Sequence, residues 1–246
     1  MTDTSNNLKY YKNPEIENDI NDALQRNIDA GLGKKGLSDV LGEQVANAKE
    51  NGGIEELKSE IEKTREKYAG RNLSKEIYDL GIDDNLPNEK IREIISQYLD
   101  CRPDQISFTD EEALSGGDIV YHYGELDLDI ESDEGLILPL SIEGYLNLGN
   151  IKSIENLILP QSISQFLNLR RLKSAKNLFL PQSINGCVFL QDLESIENLD
   201  LSKTYVIDSI YSEDAIYLSD DILDNHKGEL EAKFPHLVGR FLRLQT

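Results

Sequence analysis

The chain has 246 residues, of which 46 are acidic and 25 basic, and its formal net charge is −21 at pH 7. At 39% hydrophobic and 29% charged it holds enough apolar material for a core, which excludes disorder throughout. The acidic excess excludes ordinary binding to duplex DNA or to an anionic membrane, because phosphates are repelled rather than neutralised.

A prior of about 150 residues per domain suggests one large domain or two modest ones. No apolar run approaches the length of a membrane span, and Met1-Thr2-Asp3-Thr4 opens a polar segment without a signal-peptide core. Cys101 and Cys187 have no partners at metal-ligand spacing and read as reduced, small apolar residues of a cytoplasmic chain. The charge is unevenly spread: residues 103–145 contain 12 acidic and no basic side chains, more than half of the net excess.

The first hundred residues have the period of helices, after a flexible stretch over 1–12. Asn13-Pro14 starts a helix as cap and first-turn proline, with Ile16, Ile20, Leu24 and Ile28 on one face until Gly31. Ser38 caps a second, with Val40, Leu41, Val45 and Ala48 apolar. Ile54, Leu57, Ile61 and Tyr68 mark a third, and a short helix runs from Ser74 to Gly81. Pro87 opens a fifth with Ile91, Ile94, Ile95, Tyr98 and Leu99. Each stripe is narrow, so these helices must bury their faces against one another or against the following domain.

The period then changes. Leu136, Leu157, Leu178 and Leu199 are spaced by 21, as are Pro139, Pro160 and Pro181. Ser141, Ser162 and Ser183 repeat the interval, and so do Ile142, Ile163 and Ile184, and Leu148, Leu169 and Leu190. So many coincident registers mean a repeat array whose units close their cores only by stacking. Alternation in Leu157-Ile158-Leu159 and Leu167-Asn168-Leu169 predicts two short strands per unit with leucines inward. Gly124-Glu125-Leu126-Asp127-Leu128 echoes Gly144-Tyr145-Leu146-Asn147-Leu148 at a spacing of 20. Ile106-Ser107-Phe108 and Ile119-Val120-Tyr121 read as further strands, and Ile216-Tyr217-Leu218-Ser219 echoes Leu199-Asp200-Leu201-Ser202. Leu230, Phe234, Leu237, Val238, Phe241 and Leu242 form a helix or hook over the open end.

The pattern LxLPxSI, then LxL and LxS, resembles the short leucine-rich repeats of bacterial and phage proteins over residues 104–222. Helices ahead of such an array are similar in layout to bacterial leucine-rich-repeat effectors, although the double-proline LPxLP step is missing. The resemblance implies protein binding through an extended face. The expected fold is α+β: a helical region over 13–102, a leucine-rich-repeat-like β-solenoid over 103–222 and a C-terminal cap over 223–246.

The sequence offers two candidate binding surfaces. Asp118, Glu125, Asp127, Asp129, Glu131 and Asp133 lie in the acidic segment, and Glu125 to Glu131 alternate with leucine and isoleucine so that they project from one face of a strand. They form either a solvated edge that discourages sheet-to-sheet pairing or an electronegative surface that steers a basic partner. Ile137, Ile158 and Phe179 stack at the outward position of the first strand, as a partner-binding ridge or as a surface buried by the N-terminal helices. An EF-hand is excluded because Ser132 and Leu138 stand where the calcium loop needs Gly and Glu. Gly31–Gly36 fails the phosphate-loop pattern, and His122, His226 and His236 have no triad or zinc spacing.

The expectation is a non-enzymatic module without cofactor or metal that binds another protein, not nucleic acid directly and not a membrane. The alternative is an acidic inhibitor or nucleic-acid mimic that blocks a basic nucleic-acid-binding protein such as a nuclease or defence complex.

Overall fold

The computed structural model describes residues 54–83, 85–114, 119–131, 133, 136–154, 157–176, 178–206 and 215–243. The expected flexible start and the helices opening at Asn13 and Ser38 lie outside these residues.

Helix α1 spans Ile54–Lys67, α2 Leu73–Tyr78 and α3 Asn88–Leu99. The cap of α2 is Asn72, whose side chain accepts from the Lys75 N–H at 3.1 Å; Ser74, expected at the start, sits inside the helix and is buried. Helix α3 begins after Pro87 as the sequence predicts and ends at Asp100, which is left-handed with φ 52°. Its Ile91, Ile95 and Leu99 are buried with Tyr68, Leu73 and Ile77, while Ile94 and Tyr98 are exposed. The Tyr68 hydroxyl donates to the Leu99 carbonyl at 3.0 Å, tying α1 to the end of α3.

Beyond α3 the chain builds two sheets. The first contains β1 (Ile106–Ser107), β2 (Tyr121–Tyr123), β4 (Ser141–Glu143), β6 (Ser162–Ile163), β8 (Ser183–Ile184) and β10 (Tyr205–Val206), in that order. The second runs β3 (Leu126–Asp127), β5 (Leu146–Asn147), β7 (Leu167–Asn168), β9 (Val188–Leu190), β11 (Ile216–Leu218) and β12 (Phe241–Arg243). From β2 to β11 successive strands alternate between the sheets, and all paired neighbours are parallel.

Inner positions are leucine, isoleucine or valine in both sheets. Ile142, Ile163 and Ile184 align on one, and Leu126, Leu146, Leu167, Val188 and Ile216 on the other, all within one core. The corner between the sheets is tight. A Cβ on Gly144, whose φ is +103°, would lie 2.7 Å from the Gly124 carbonyl oxygen, so only glycine lets the two turns stack.

The expectation of an α+β leucine-rich-repeat-like β-solenoid is corrected. The structure has two wholly parallel six-stranded sheets and five helices among the described residues, an α/β arrangement. One of the two expected strands of each unit is also displaced. Leu157-Ile158-Leu159 carries no ladder, the equivalent Phe179 makes only an isolated parallel bridge to Asp200, and the strand forms after Pro160, at Ser162–Ile163. Proline offers no N–H to a neighbour, whereas the serines beyond it bond to one another and to a helix.

The C-terminal segment folds as α5 (Asp220–Lys233), capped by Ser219, followed by a short 3-10 turn and β12. Ile222, Leu223, Leu230, Phe234, Leu237 and Phe241 extend the main core. The expected echo of Leu199–Ser202 by Ile216–Ser219 is corrected: Ile216 pairs with Val188, so the strand continues the second sheet after a step of 28 residues.

Candidate interaction face

The two sheets turn different side chains outward. On the first, Ser141, Ser162 and Ser183 align, and α2 lies over them. The hydroxyls are linked, Ser162 to Ser141 at 2.5 Å and Ser141 to Ser74 at 2.8 Å, and Ser74 donates to the Ile142 carbonyl at 3.0 Å. Asn72 Nδ2 donates to Ser183 Oγ at 2.6 Å, and the Arg65 guanidinium donates to the Leu159 carbonyl at 2.5 Å. This face is occupied by the protein's own helices.

On the second sheet the residue after each inner position reads Asp127, Asn147, Asn168, Phe189, Tyr217 and Leu242. The residue before it reads Glu125, Tyr145, Phe166, Cys187 and Ala215, on the same face because side chains alternate along a strand. The face is therefore graded from carboxylates, through amides, to rings. Asn147 Nδ2 donates to Asp127 Oδ1 and Asn168 Nδ2 to Asn147 Oδ1, each at 2.8 Å. Tyr145 and Phe166 stack with centroids 4.5 Å apart, Phe166 meets Phe189 edge-on at 5.8 Å, and Phe189 stacks on Tyr217 at 5.2 Å. Such ring pairs add about 0.5–1.5 kcal/mol each beyond area burial.

At the acidic end the last strand of this sheet, β3, is closed by side chains from its neighbours. Asp110 begins helix α4 (Asp110–Leu114) within electrostatic reach of Asp127. His122 Nε2 donates to the Glu125 carbonyl at 3.1 Å, and the Ser107 hydroxyl donates to His122 Nδ1 at 2.9 Å. Burial lowers the pKa of His122, in keeping with this neutral tautomer. Burial, reinforced by Asp127, pushes the Asp110 carboxyl up to about 7. Burial likewise raises Asp127 to about 6 against the bond from Asn147. The Tyr145 hydroxyl is also raised, first by burial and then by Glu125 and Asp127.

The predicted acidic residues are thus divided by the fold. Glu125 and Glu131 are exposed, Asp129 is half-buried, and Asp127 and Asp133 are buried; Asp118 lies outside the described residues. Asp129 accepts from Asn150 Nδ2, and Asp133 Oδ2 accepts the Leu157 N–H at 2.9 Å. Glu131 lies 4.0 Å from Lys152. Of the ridge, Ile137 and Ile158 are half-buried, and Phe179 is 78% exposed. Sequence reasoning missed the ring ladder. The 21-residue period that aligns Leu146 with Leu167 also aligns Tyr145 with Phe166, which was the available signal.

His122 is fully enclosed with both ring nitrogens engaged, and burial pushes the Cys101 thiol up to about 11, away from a reactive thiolate. The glycine-rich Gly31–Gly36 lies outside the described residues. Among the described residues no group of three His, Cys, Asp or Glu side chains is placed to hold a metal ion, and no helix is long and apolar enough to cross a membrane. Comparison with protein-family models, curated proteins and solved structures finds no match to the chain.

Proposed function

We propose that the chain is a non-enzymatic module that binds a basic protein through the outer face of its second sheet. The observation that carries this reading is the contrast between the faces: α2 covers the serines of the first sheet, while on the second Glu125 is exposed and Phe166 and Phe189 are half-buried. A face with carboxylates at one end and rings at the other suits a partner offering lysine or arginine beside an apolar side chain. The nucleic-acid-mimic alternative needs Asp127, Asp129 and Asp133 free at regular intervals, and all three are spent on internal hydrogen bonds.

The test is affinity capture on the immobilised chain from a host lysate over a salt series, set beside Glu125→Lys and Phe166→Ser. A partner held by this face is lost from both variants and weakens as salt rises. A partner captured equally by wild type and both variants would remove the second sheet from the binding surface.

A further inference from the structure

The second sheet has no strand ahead of β3, and one side chain fills the gap this leaves in its ladder. Along the ladder the N–H groups of Leu126, Leu146 and Leu167 donate to the carbonyls of Tyr145, Phe166 and Cys187. Glu125 precedes Tyr145 in this column of carbonyls, and the sheet has no earlier strand to donate to it. His122 Nε2 donates instead, at 3.1 Å.

The ring reaches that carbonyl from inside the core. His122 pairs with Ser107 on β1 and with Ile142 on β4, so it stands in the inner column that continues as Ile142, Ile163 and Ile184, and it is fully enclosed. A carbonyl can only accept, so the ring proton sits on Nε2. Nδ1 of the neutral ring then accepts the Ser107 O–H at 2.9 Å. An isoleucine at this position, as in the rest of the column, has no donor to offer.

A second ring proton upsets this fit. Nδ1 becomes a donor, the Ser107 hydroxyl must turn to the Tyr121 carbonyl at 3.4 Å, and a cation is left in an enclosed position. We propose that His122 is a pH-operated latch: neutral, it holds the Gly124-Glu125 turn and the start of β3 against β2, and protonated, it leaves the core and frees this edge of the second sheet.

The groups packed around the ring do not reverse that direction. Ser107 on β1 is uncharged, Glu143 on β4 is bonded to the Tyr121 hydroxyl at 3.2 Å, and the Glu125 side chain is exposed. Glu112 on α4 favours the cation but is paired with Arg92 at 3.0 Å, and burial outweighs it, so the imidazole lies below its ordinary value. The latch therefore gives stability that is complete above about pH 6.5 and is lost as pH falls below it. Asp110 and Asp127, pushed up to about 7 and about 6, act in the opposite sense, so the latch is read by difference. The inference concerns the chain alone and is independent of the partner reading.

The test compares wild type with His122→Gln, whose amide has a donor and an acceptor but does not titrate. Amide hydrogen exchange is followed between pH 5 and pH 8, corrected for its intrinsic pH dependence, and the wild-type imidazole is observed by nitrogen-15 NMR. In the wild type, opening at the Leu126 and Leu128 amides is expected to rise relative to Leu167 and Leu169 by up to about tenfold per pH unit below 6.5. The variant lacks this extra rise, and the wild-type ring at pH 6.5 is neutral with its proton on Nε2. Equal pH dependence in the two proteins overturns the proposal. So does a wild-type ring that is half protonated at or above pH 6.5 or that carries its proton on Nδ1, whether or not the variant folds.

Discussion

The first and second sheets share a core and a parallel plan, yet their outer faces obey different physics. On the first, small hydroxyls align and let α2 approach closely enough for Ser74 to join the serine chain. On the second, amides and rings fill the aligned positions and bond to or stack on one another along the ladder. The same repeat thus makes one face that needs a covering layer and one that satisfies itself. A face that bonds to itself stays folded while it is uncovered, which is what the proposed partner binding on the second sheet requires.

The comparison can be broken in graded ways. The shared interior gives the largest effect: Leu167→Ala, at a fully enclosed position, is expected to cost about 2–5 kcal/mol in denaturant unfolding. Next is Asn147→Ala, which strips the donor from Asp127 Oδ1 and the acceptor from the Gly149 N–H. It is expected to cost about 1–3 kcal/mol, more above pH 7 than at pH 5. Ser74→Ala removes the link to the first sheet but leaves Ser141 and Ser162 bonded to each other; about 0.5–1.5 kcal/mol is expected. A larger loss for Ser74 than for Asn147 would mean that the helix layer, rather than the amide ladder, holds the outer faces. Phe179→Ser, at an exposed ring, is expected to stay within about 0.5 kcal/mol of wild type in the same measurement.

The inner positions were legible because the 21-residue period acts on them directly: Leu146, Leu167 and their counterparts have one role at every step. The location of the first strand was not. Leu157-Ile158-Leu159 has the alternation of a strand, but its ladder depends on what Pro160 withholds and what Ser162 offers across the sheet, which periodicity does not record. Asp127 shows the same limit. Its alternation with leucine places it on the outer face, yet it is 8% exposed there and bonded to Asn147 of the next strand. Asn198, 21 positions after Asn177 in the sequence, adopts φ 65°, a conformation that asparagine tolerates better than most residues.

The even step of the ladder has a kinetic consequence. Strand pairs β3–β5, β5–β7 and β7–β9 join residues only 20 or 21 positions apart, so each pairing closes a loop of nearly the same size. The helix layer is different: Ser74 meets Ser162 across 88 positions and Arg65 meets Leu159 across 94. Closing loops of that length from an unstructured chain costs about 1.3 kcal/mol more than closing one repeat. Once the strands have zipped, most of that intervening chain is already ordered and the extra cost falls away. Growth from one repeat to the next thus lowers the cost of bringing α2 onto Ser162, and a chain that folds in this order leaves the face that α2 covers bare until the helix docks.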